Sequence, residues 1–149
     1  MIRQDDPRFA GNVEIGEDAC VLFVYLYFAN KLANAPMGIQ EILGYISDYQ
    51  AKGWIRSDMT VLQPDLILGA LGVVETAPVK GESADYQCQS GEYELCMWGY
   101  TDSTGKWWEH AIAGDGRGNQ AFDPLGRSHC GALGKIVTKR IISVAPMVY

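Results

Sequence analysis

The chain has 149 residues, of which 48% are hydrophobic and 20% charged, and this composition excludes an intrinsically disordered protein. Its formal net charge of −6, with no dense cluster of Lys or Arg, argues against nucleic acid as a partner. The length predicts one domain, residues 1–149, that buries a core without metals or disulfide bonds.

Two features bear on the compartment. The amino-terminus lacks the apolar segment of a secretory signal peptide, and the longest apolar run is far shorter than the ~20 residues that cross a bilayer. We therefore expect a cytoplasmic protein without a membrane partner. The cysteines form no C-x-x-C pair and the chain has only two histidines, so a metal site is not predicted. Cys88 and Cys96 would pair as a disulfide only in an oxidising compartment.

The first half of the chain predicts helices. Residues 1–19 carry Gly, Asp and Pro and predict an irregular lead-in. The apolar run that follows predicts a buried helix over 19–31; a buried strand is the alternative, but the length of the run favours a helix. Apolar residues spaced by three and four predict an amphipathic helix over 38–52, and Pro64 begins a third helix over 64–71.

The second half predicts strands. We expect them over residues 73–79, 92–100, 107–113, 120–123 and 136–144, with a polar loop over 80–91. Helices followed by antiparallel strands indicate the α+β class.

Cys20 stands at the start of the predicted buried helix, with Asp18 near its cap. A helix amino-terminus carries partial positive charge and unpaired N–H groups, both of which favour the reactive thiolate. The alternative is that Cys20 is a core residue, because cysteine is among the most often buried residue types. Its place at the helix start makes it a candidate nucleophile.

A Gly-rich turn over residues 114–119 joins two predicted strands. With the turn centred between Gly116 and Arg117, His110 and Asp123 lie opposite each other, and a carboxylate there would fix the imidazole tautomer. Alternatively, His110 is an ordinary strand residue with a satisfied hydrogen bond. A second thiol–imidazole pair, His129 with Cys130, has poor geometry because adjacent strand residues point apart.

These residues together resemble a known family, the C39-like branch of the papain-like cysteine peptidases. The matching residues are Gln4-x-Asp6-Pro7-x-Phe9, Gly16 to Cys20 with the apolar helix, His110, and Phe122-Asp123-Pro124-Leu125-Gly126. The late part, a His on a strand followed by Asp-Pro and a nearby Gly, is the more specific. The resemblance covers nearly the whole chain and implies a papain-like fold, with the Cys at the start of a central helix packed on an antiparallel sheet.

The resemblance also implies roles. Cys20 would be the nucleophile, His110 the general base and acid, Asp123 the residue that orients His110, and Gln4 a side-chain donor to the oxyanion hole beside the backbone N–H of Cys20. The implied function is a thiol hydrolase of bacterial or phage type that cleaves an amide bond in a peptide, an isopeptide or peptidoglycan, without a cofactor. The sequence does not name the substrate or the oligomeric state.

Two other interpretations stay open. The family usually has Gly before its Cys and small residues after it, whereas this chain has Ala19, Val21 and Leu22. Bulk at those positions favours a catalytically inactive papain-like binding module of phage or plasmid origin. The other interpretation is a structural domain in which Cys20 is simply core. The aromatic residues Trp98, Trp107 and Trp108 are expected to pack in the core or at its rim rather than line a cleft.

Overall fold

The computed structural model describes residues 1–73 and 78–144, with only the backbone of Glu17. These stretches contain five α-helices and one antiparallel sheet of five strands, which confirms the α+β class. The helices are α1 (Val13–Asp18), α2 (Cys20–Ala33), α3 (Ile39–Ala51), α4 (Pro64–Ala70) and α5 (His129–Leu133). The strands are β1 (Lys80–Ser83), β2 (Glu92–Thr101), β3 (Trp107–Gly114), β4 (Gln120–Phe122) and β5 (Lys135–Ser143).

Helix α2 forms the centre of the core. It is apolar on most sides, and the side chains buried along it are Leu22, Phe23, Val24, Tyr25, Leu26, Phe28 and Ala29. The helix packs against β3, where Ala111 and Ala113 leave room for it, and against Leu95 of β2. Full burial of each large apolar side chain contributes about 1.5–3 kcal/mol. The predicted helix is therefore confirmed and the alternative of a buried strand is wrong, and the packing of the helix fixes the position of Cys20 at its first residue.

The sheet has the strand order β1-β5-β2-β3-β4, with every neighbouring pair antiparallel. Strand β3 pairs with β2 from Trp107 to Ala113 but with β4 only at Ala113 and Gly114. In the described part of the chain, the outer edge of β3 beside His110 is thus not covered by a strand. The start of α2 lies at this open edge.

Several predicted elements need correction. The lead-in is not irregular throughout, because Pro7–Phe9 forms a 3-10 turn and α1 follows, with Asn12 Oδ1 accepting the Ile15 N–H at 3.2 Å. The predicted loop over 80–91 contains β1, an edge strand that pairs with β5. Helix α5 lies where no helix was predicted. In the strand predicted over 73–79, residues 73, 78 and 79 are not in a strand and 74–77 lie outside the described residues.

A buried ion pair lies on the side of β2 opposite Leu95. Lys139 Nζ is 2.8 Å from Glu94 Oε1 and donates to the Tyr86 carbonyl at 2.7 Å, while Glu94 Oε2 accepts the Gly118 N–H at 2.8 Å. Both side chains are at most 1% exposed. Because Gly118 belongs to the turn between β3 and β4, this network fixes the turn that follows the His110 strand.

Candidate active site

The contact between His110 and Asp123 is present, although the predicted strand register is wrong. His110 Nε2 lies 2.7 Å from Asp123 Oδ1. The strands pair Ala113 with Phe122 and Gly114 with Gln120, with an irregularity between the two pairs, so Asp123 is not opposite His110. It follows the end of β4, where the chain turns and Gly126 donates its N–H to the Asp123 carbonyl at 2.8 Å. The turn, rather than cross-strand pairing, brings the carboxylate to the imidazole.

The Asp123 carboxylate accepts four hydrogen bonds. Oδ1 accepts from His110 Nε2 and from the Leu125 N–H at 2.9 Å, and Oδ2 accepts from the Ser128 N–H at 3.0 Å and the Ser128 hydroxyl at 2.6 Å. Burial alone would raise the pKa of Asp123, but these donors lower it well below its usual range. The group therefore stays ionised next to His110.

Ser128 also belongs to the site, although it was not among the predicted residues. It is buried and is the N-cap of α5, where its hydroxyl accepts the Gly131 N–H at 3.0 Å while donating to Asp123. A Ser at a helix start is an ordinary capping signal. The five-residue helix behind it contains Gly131 and has no apolar stripe long enough to reveal it.

Cys20 lies half-buried at the open edge of β3, with its sulfur close to the backbone N–H groups of Ala111 and Val21. Burial alone would raise the pKa of the thiol, but the hydrogen bond and positive charge of His110, together with these N–H groups, lower the pKa below its ordinary value. Since Asp123 occupies Nε2, Nδ1 is the ring nitrogen left for the sulfur.

The pKa of His110 changes in the opposite direction. Burial alone would lower it, but hydrogen bonds to Asp123 and Cys20 and the negative charge of both raise the pKa to about 9. The lowered thiol pKa and the raised imidazole pKa both favour the ion pair of thiolate and imidazolium over the neutral pair. An arrangement of this kind supplies a nucleophile and a proton donor side by side.

Gln4 is fully buried. Within the described part of the chain, its side chain forms no hydrogen bond with Cys20, His110 or Asp123. Its Nε2 donates to the carbonyls of Ile15 at 3.3 Å and Gly16 at 3.1 Å, and its Oε1 is buried without a partner. The Gln4 backbone N–H donates to Pro124 O at 3.0 Å. Gln4 thus joins α1 to the turn after Asp123, and both N–H groups of its side chain face carbonyls.

A cleft of about 1180 Å³ opens beside His110. It is lined by residues of β2, β3, α5 and the turn after Asp123, among them Tyr100, Trp108, His110, Arg127, Ser128 and Leu133. Trp108 therefore lines a cleft, contrary to the expectation of core or rim packing. Trp107 is exposed outside this lining and Trp98 is partly buried.

The remaining cysteines do not form a second site of this kind. All four cysteines are free, so Cys88 and Cys96 are not paired, and burial and the charge of Glu94 raise the pKa of Cys88 to about 11. His129 and Cys130 lie in α5 rather than a strand. His129 Nδ1 is 3.4 Å from the Tyr100 hydroxyl, and burial raises the pKa of Cys130. Among the described residues, no three His, Cys, Asp or Glu side chains form a group that would hold a metal ion.

Within the two described stretches, no helix is long and apolar enough to cross a membrane.

Comparison with known proteins identifies a family to which no activity is assigned. No curated protein and no solved structure matches the chain significantly. The model of one family, described as "Protein of unknown function, DUF261", matches residues 1–144. The chain therefore belongs to the DUF261 family.

Proposed function

We propose that the protein is a thiol hydrolase or acyl transferase of papain-like type, in which Cys20, His110 and Asp123 act as a catalytic triad. One observation carries the proposal: a half-buried thiol of lowered pKa contacts an imidazole whose other nitrogen is held by a fully hydrogen-bonded carboxylate. Nucleophile, base and orienting group in this order are the arrangement that acyl transfer requires. The proposed substrate is an amide in a peptide, an isopeptide or peptidoglycan.

In the proposed reaction, the Cys20 thiolate attacks the carbonyl carbon and forms a C–S bond. The His110 imidazolium then gives its Nδ1 proton to the leaving nitrogen as the C–N bond breaks. Neutral His110 next accepts a proton from water, or from an acceptor amine in acyl transfer, as its oxygen or nitrogen attacks the thioester carbonyl. The C–S bond then breaks, which releases the acid or the new amide and restores the Cys20 thiolate beside the His110 imidazolium. Asp123 keeps the ring oriented and stabilises its charged form in both steps.

The developing oxyanion needs hydrogen-bond donors. The backbone N–H of Cys20 is at the first residue of α2, which has no side-chain cap, and it is the first proposed donor. Gln4 is the second, on condition that its amide exchanges one of its bonds to Ile15 and Gly16 for the substrate oxygen. Each such donor typically contributes about 3 kcal/mol in the transition state.

The test is the rate of Cys20 alkylation by iodoacetamide as a function of pH, with the modified residue identified by peptide mass mapping. We expect fast alkylation at pH 6, and a decrease of at least about tenfold in His110→Ala, because an ordinary thiol is less than about 1% ionised at that pH. His129→Ala is the matched control, since His129 is the second of the two histidines of the chain. Slow alkylation of the wild type at every pH below 8 would refute the proposal and leave a buried core cysteine.

A second measurement separates catalysis from the inactive binding module. Incubation with p-nitrophenyl acetate should acetylate Cys20, with the C–S bond replacing the ester C–O bond and p-nitrophenolate leaving. Continued release beyond one equivalent supports hydrolysis. Normal alkylation of Cys20 with no acetylation and no turnover would favour the binding module.

A further inference from the structure

Trp108 is partly exposed but is held in place by its neighbours. It is 43% exposed, yet its indole Nε1 donates to Asp102 Oδ2 at 2.9 Å and Lys106 Nζ lies 3.8 Å from the ring centroid. Asp102 is itself fixed, because its Oδ1 accepts from the N–H and hydroxyl of Thr104 and from the Lys106 N–H. A large aromatic surface thus stays in water in one fixed orientation, so binding to it costs little conformational entropy.

The register of the sheet places this surface beside the candidate base. Trp108 and His110 are two residues apart on β3 and lie on one face, about 7 Å apart along the strand. Tyr100 of β2 is the direct partner of Trp108 in β3, so its side chain lies on the same face of the sheet as Trp108. Each residue of an extended peptide advances about 3.3–3.6 Å, so a distance of about 7 Å corresponds to about two residues. A substrate side chain that lies over Trp108 would therefore belong to the first or second residue from the carbonyl group that reacts with Cys20.

A second exposed apolar residue lines the cleft. Leu133, in α5, is 70% exposed and lines the same cleft as Trp108 and Tyr100. Helix α5 packs against both β2 and β3, which sets Leu133 beside the two strands that carry the aromatic residues. Exposed apolar groups in a cleft that polar and charged side chains also line indicate a place for an apolar side chain beside the polar backbone of a peptide.

We propose that Trp108, Tyr100 and Leu133 form a subsite that binds an apolar side chain one or two residues from the bond cleaved at Cys20. The inference rests on the proposed thiol chemistry and specifies its substrate class, a peptide with an aromatic or long aliphatic residue near the reacting carbonyl. Burial of a Phe side chain in such a subsite raises the reaction rate about tenfold or more.

Dipeptidyl chloromethyl ketones test the subsite without knowledge of the natural substrate. These reagents alkylate a thiolate, with the C–S bond formed as the C–Cl bond breaks and chloride leaves. Reagents with Phe, Asp or Gly at either residue position are compared, and each rate is divided by the iodoacetamide rate of the same protein. We expect Phe to exceed Gly and Asp by about tenfold at one of the two positions.

Variants assign this preference to the subsite. Trp108→Ala should reduce the Phe-to-Gly ratio to about threefold or less, and Leu133→Ala, an exposed change that leaves the core intact, should reduce it in the same direction. Trp107→Ala is the matched control, because Trp107 is 50% exposed on the same strand but faces the other way, and its Nε1 donates to Glu109 Oε1 at 3.2 Å. This control should keep the wild-type ratio.

The outcomes separate the two proposals. Slow iodoacetamide alkylation at low pH would overturn the proposed function itself. Fast alkylation with a Phe-to-Gly ratio near one, or with equal ratios in wild type and Trp108→Ala, would overturn the subsite alone. Protection of Cys20 by an N-acetylglucosamine trimer, with no preference for Phe, would also overturn it, in favour of a sugar-binding cleft.

Discussion

Replacement of Asp123 by Asn tests how the carboxylate controls the two titrating groups beside it. A hydrogen bond between charged partners contributes about 1.5–3 kcal/mol, and 1.36 kcal/mol corresponds to one pKa unit. Loss of the charge opposite Nε2 should therefore lower the pKa of His110, which is raised to about 9, by about one to two units. The pKa of the Cys20 thiol should rise at the same time, because its imidazolium partner is less stable.

The amide cannot replace the carboxylate without a conflict. If Nδ2 takes the position of Oδ1 it meets the Leu125 N–H, and if it takes the position of Oδ2 it meets the Ser128 N–H. Either arrangement places two donors together in a buried site, which costs about 1–3 kcal/mol of unfolding free energy. We therefore expect lower stability in addition to the pKa changes.

The assay is the pH profile of Cys20 alkylation from pH 4 to 10. The wild type should show two steps, one as the ion pair forms and a second near pH 9 as the imidazolium loses its proton. In Asp123→Asn the two steps should move towards each other by about one to two units. Asp48→Asn is the control, because Asp48 pairs with Lys52 on the exposed surface of α3. A profile for Asp123→Asn that superimposes on the wild type would refute the assigned role of the carboxylate.

Three further predictions concern stability and the oxyanion donors. Ser128→Ala should lower the free energy of unfolding in urea by about 1–2 kcal/mol, because both Asp123 and the first turn of α5 lose a hydrogen bond, and Ser128→Thr should recover most of it. Lys139→Met should cost about 3–5 kcal/mol, since it leaves Glu94 buried and unpaired, and the addition of Glu94→Gln should restore part of the melting temperature. Gln4→Ala and Gln4→Glu should each lower the turnover of p-nitrophenyl acetate by about a hundredfold if the amide binds the oxyanion. An effect on melting temperature alone would limit the role of Gln4 to its hydrogen bonds with Ile15 and Gly16.

The pH dependence of stability gives one more prediction, with opposite signs for the two members of the ion pair. The raised pKa of His110 contributes stability that is full below its unfolded value near 6.5 and is lost as pH rises through about 9. The lowered pKa of Cys20 contributes stability that is present above its unfolded value and is lost as pH falls, so the two effects oppose each other between the unfolded values of about 6.5 and 8.5. The stability of the wild type in urea should thus fall less steeply with rising pH in this window than the stability of Cys20→Ala. A wild-type slope as steep as that of Cys20→Ala would contradict the ion pair.

The sequence predicted the contact between His110 and Asp123 but not the way in which the chain makes it. The Gly-rich turn was recognisable, yet its conformation was not: Gly116 and Gly118 have φ of 96° and 85°, and the register shifts beside the turn. Backbone freedom at glycine allows several turns, so the register could not be fixed from the residues alone. The contact between His110 and Asp123 could still be predicted, because both the predicted pairing and the observed turn bring Asp123 to the same edge of β3.

The missed elements are those that tertiary contacts stabilise. Strand β1 has the polar sequence Lys-Gly-Glu-Ser and is a strand because β5 offers it a free edge. Helices α1 and α5 have six and five residues, too few for a periodic pattern to show. By contrast, α2 and α3 were predictable, since one is a long apolar run and the other has a clear apolar stripe.

Because Cys20 lies at the open edge of β3, its reactivity depends on whether the sheet has docked against the helices. Of the groups that lower the pKa of the sulfur, the His110 imidazole and the Ala111 N–H lie some ninety positions later in the chain, and the Val21 N–H belongs to the helix that Cys20 begins. A fragment that folds only its helices, or a thermal intermediate whose sheet has separated, would carry a thiol that behaves like free cysteine. Labelling at mildly acidic pH would then follow the docking of the two halves during folding, with no added fluorophore.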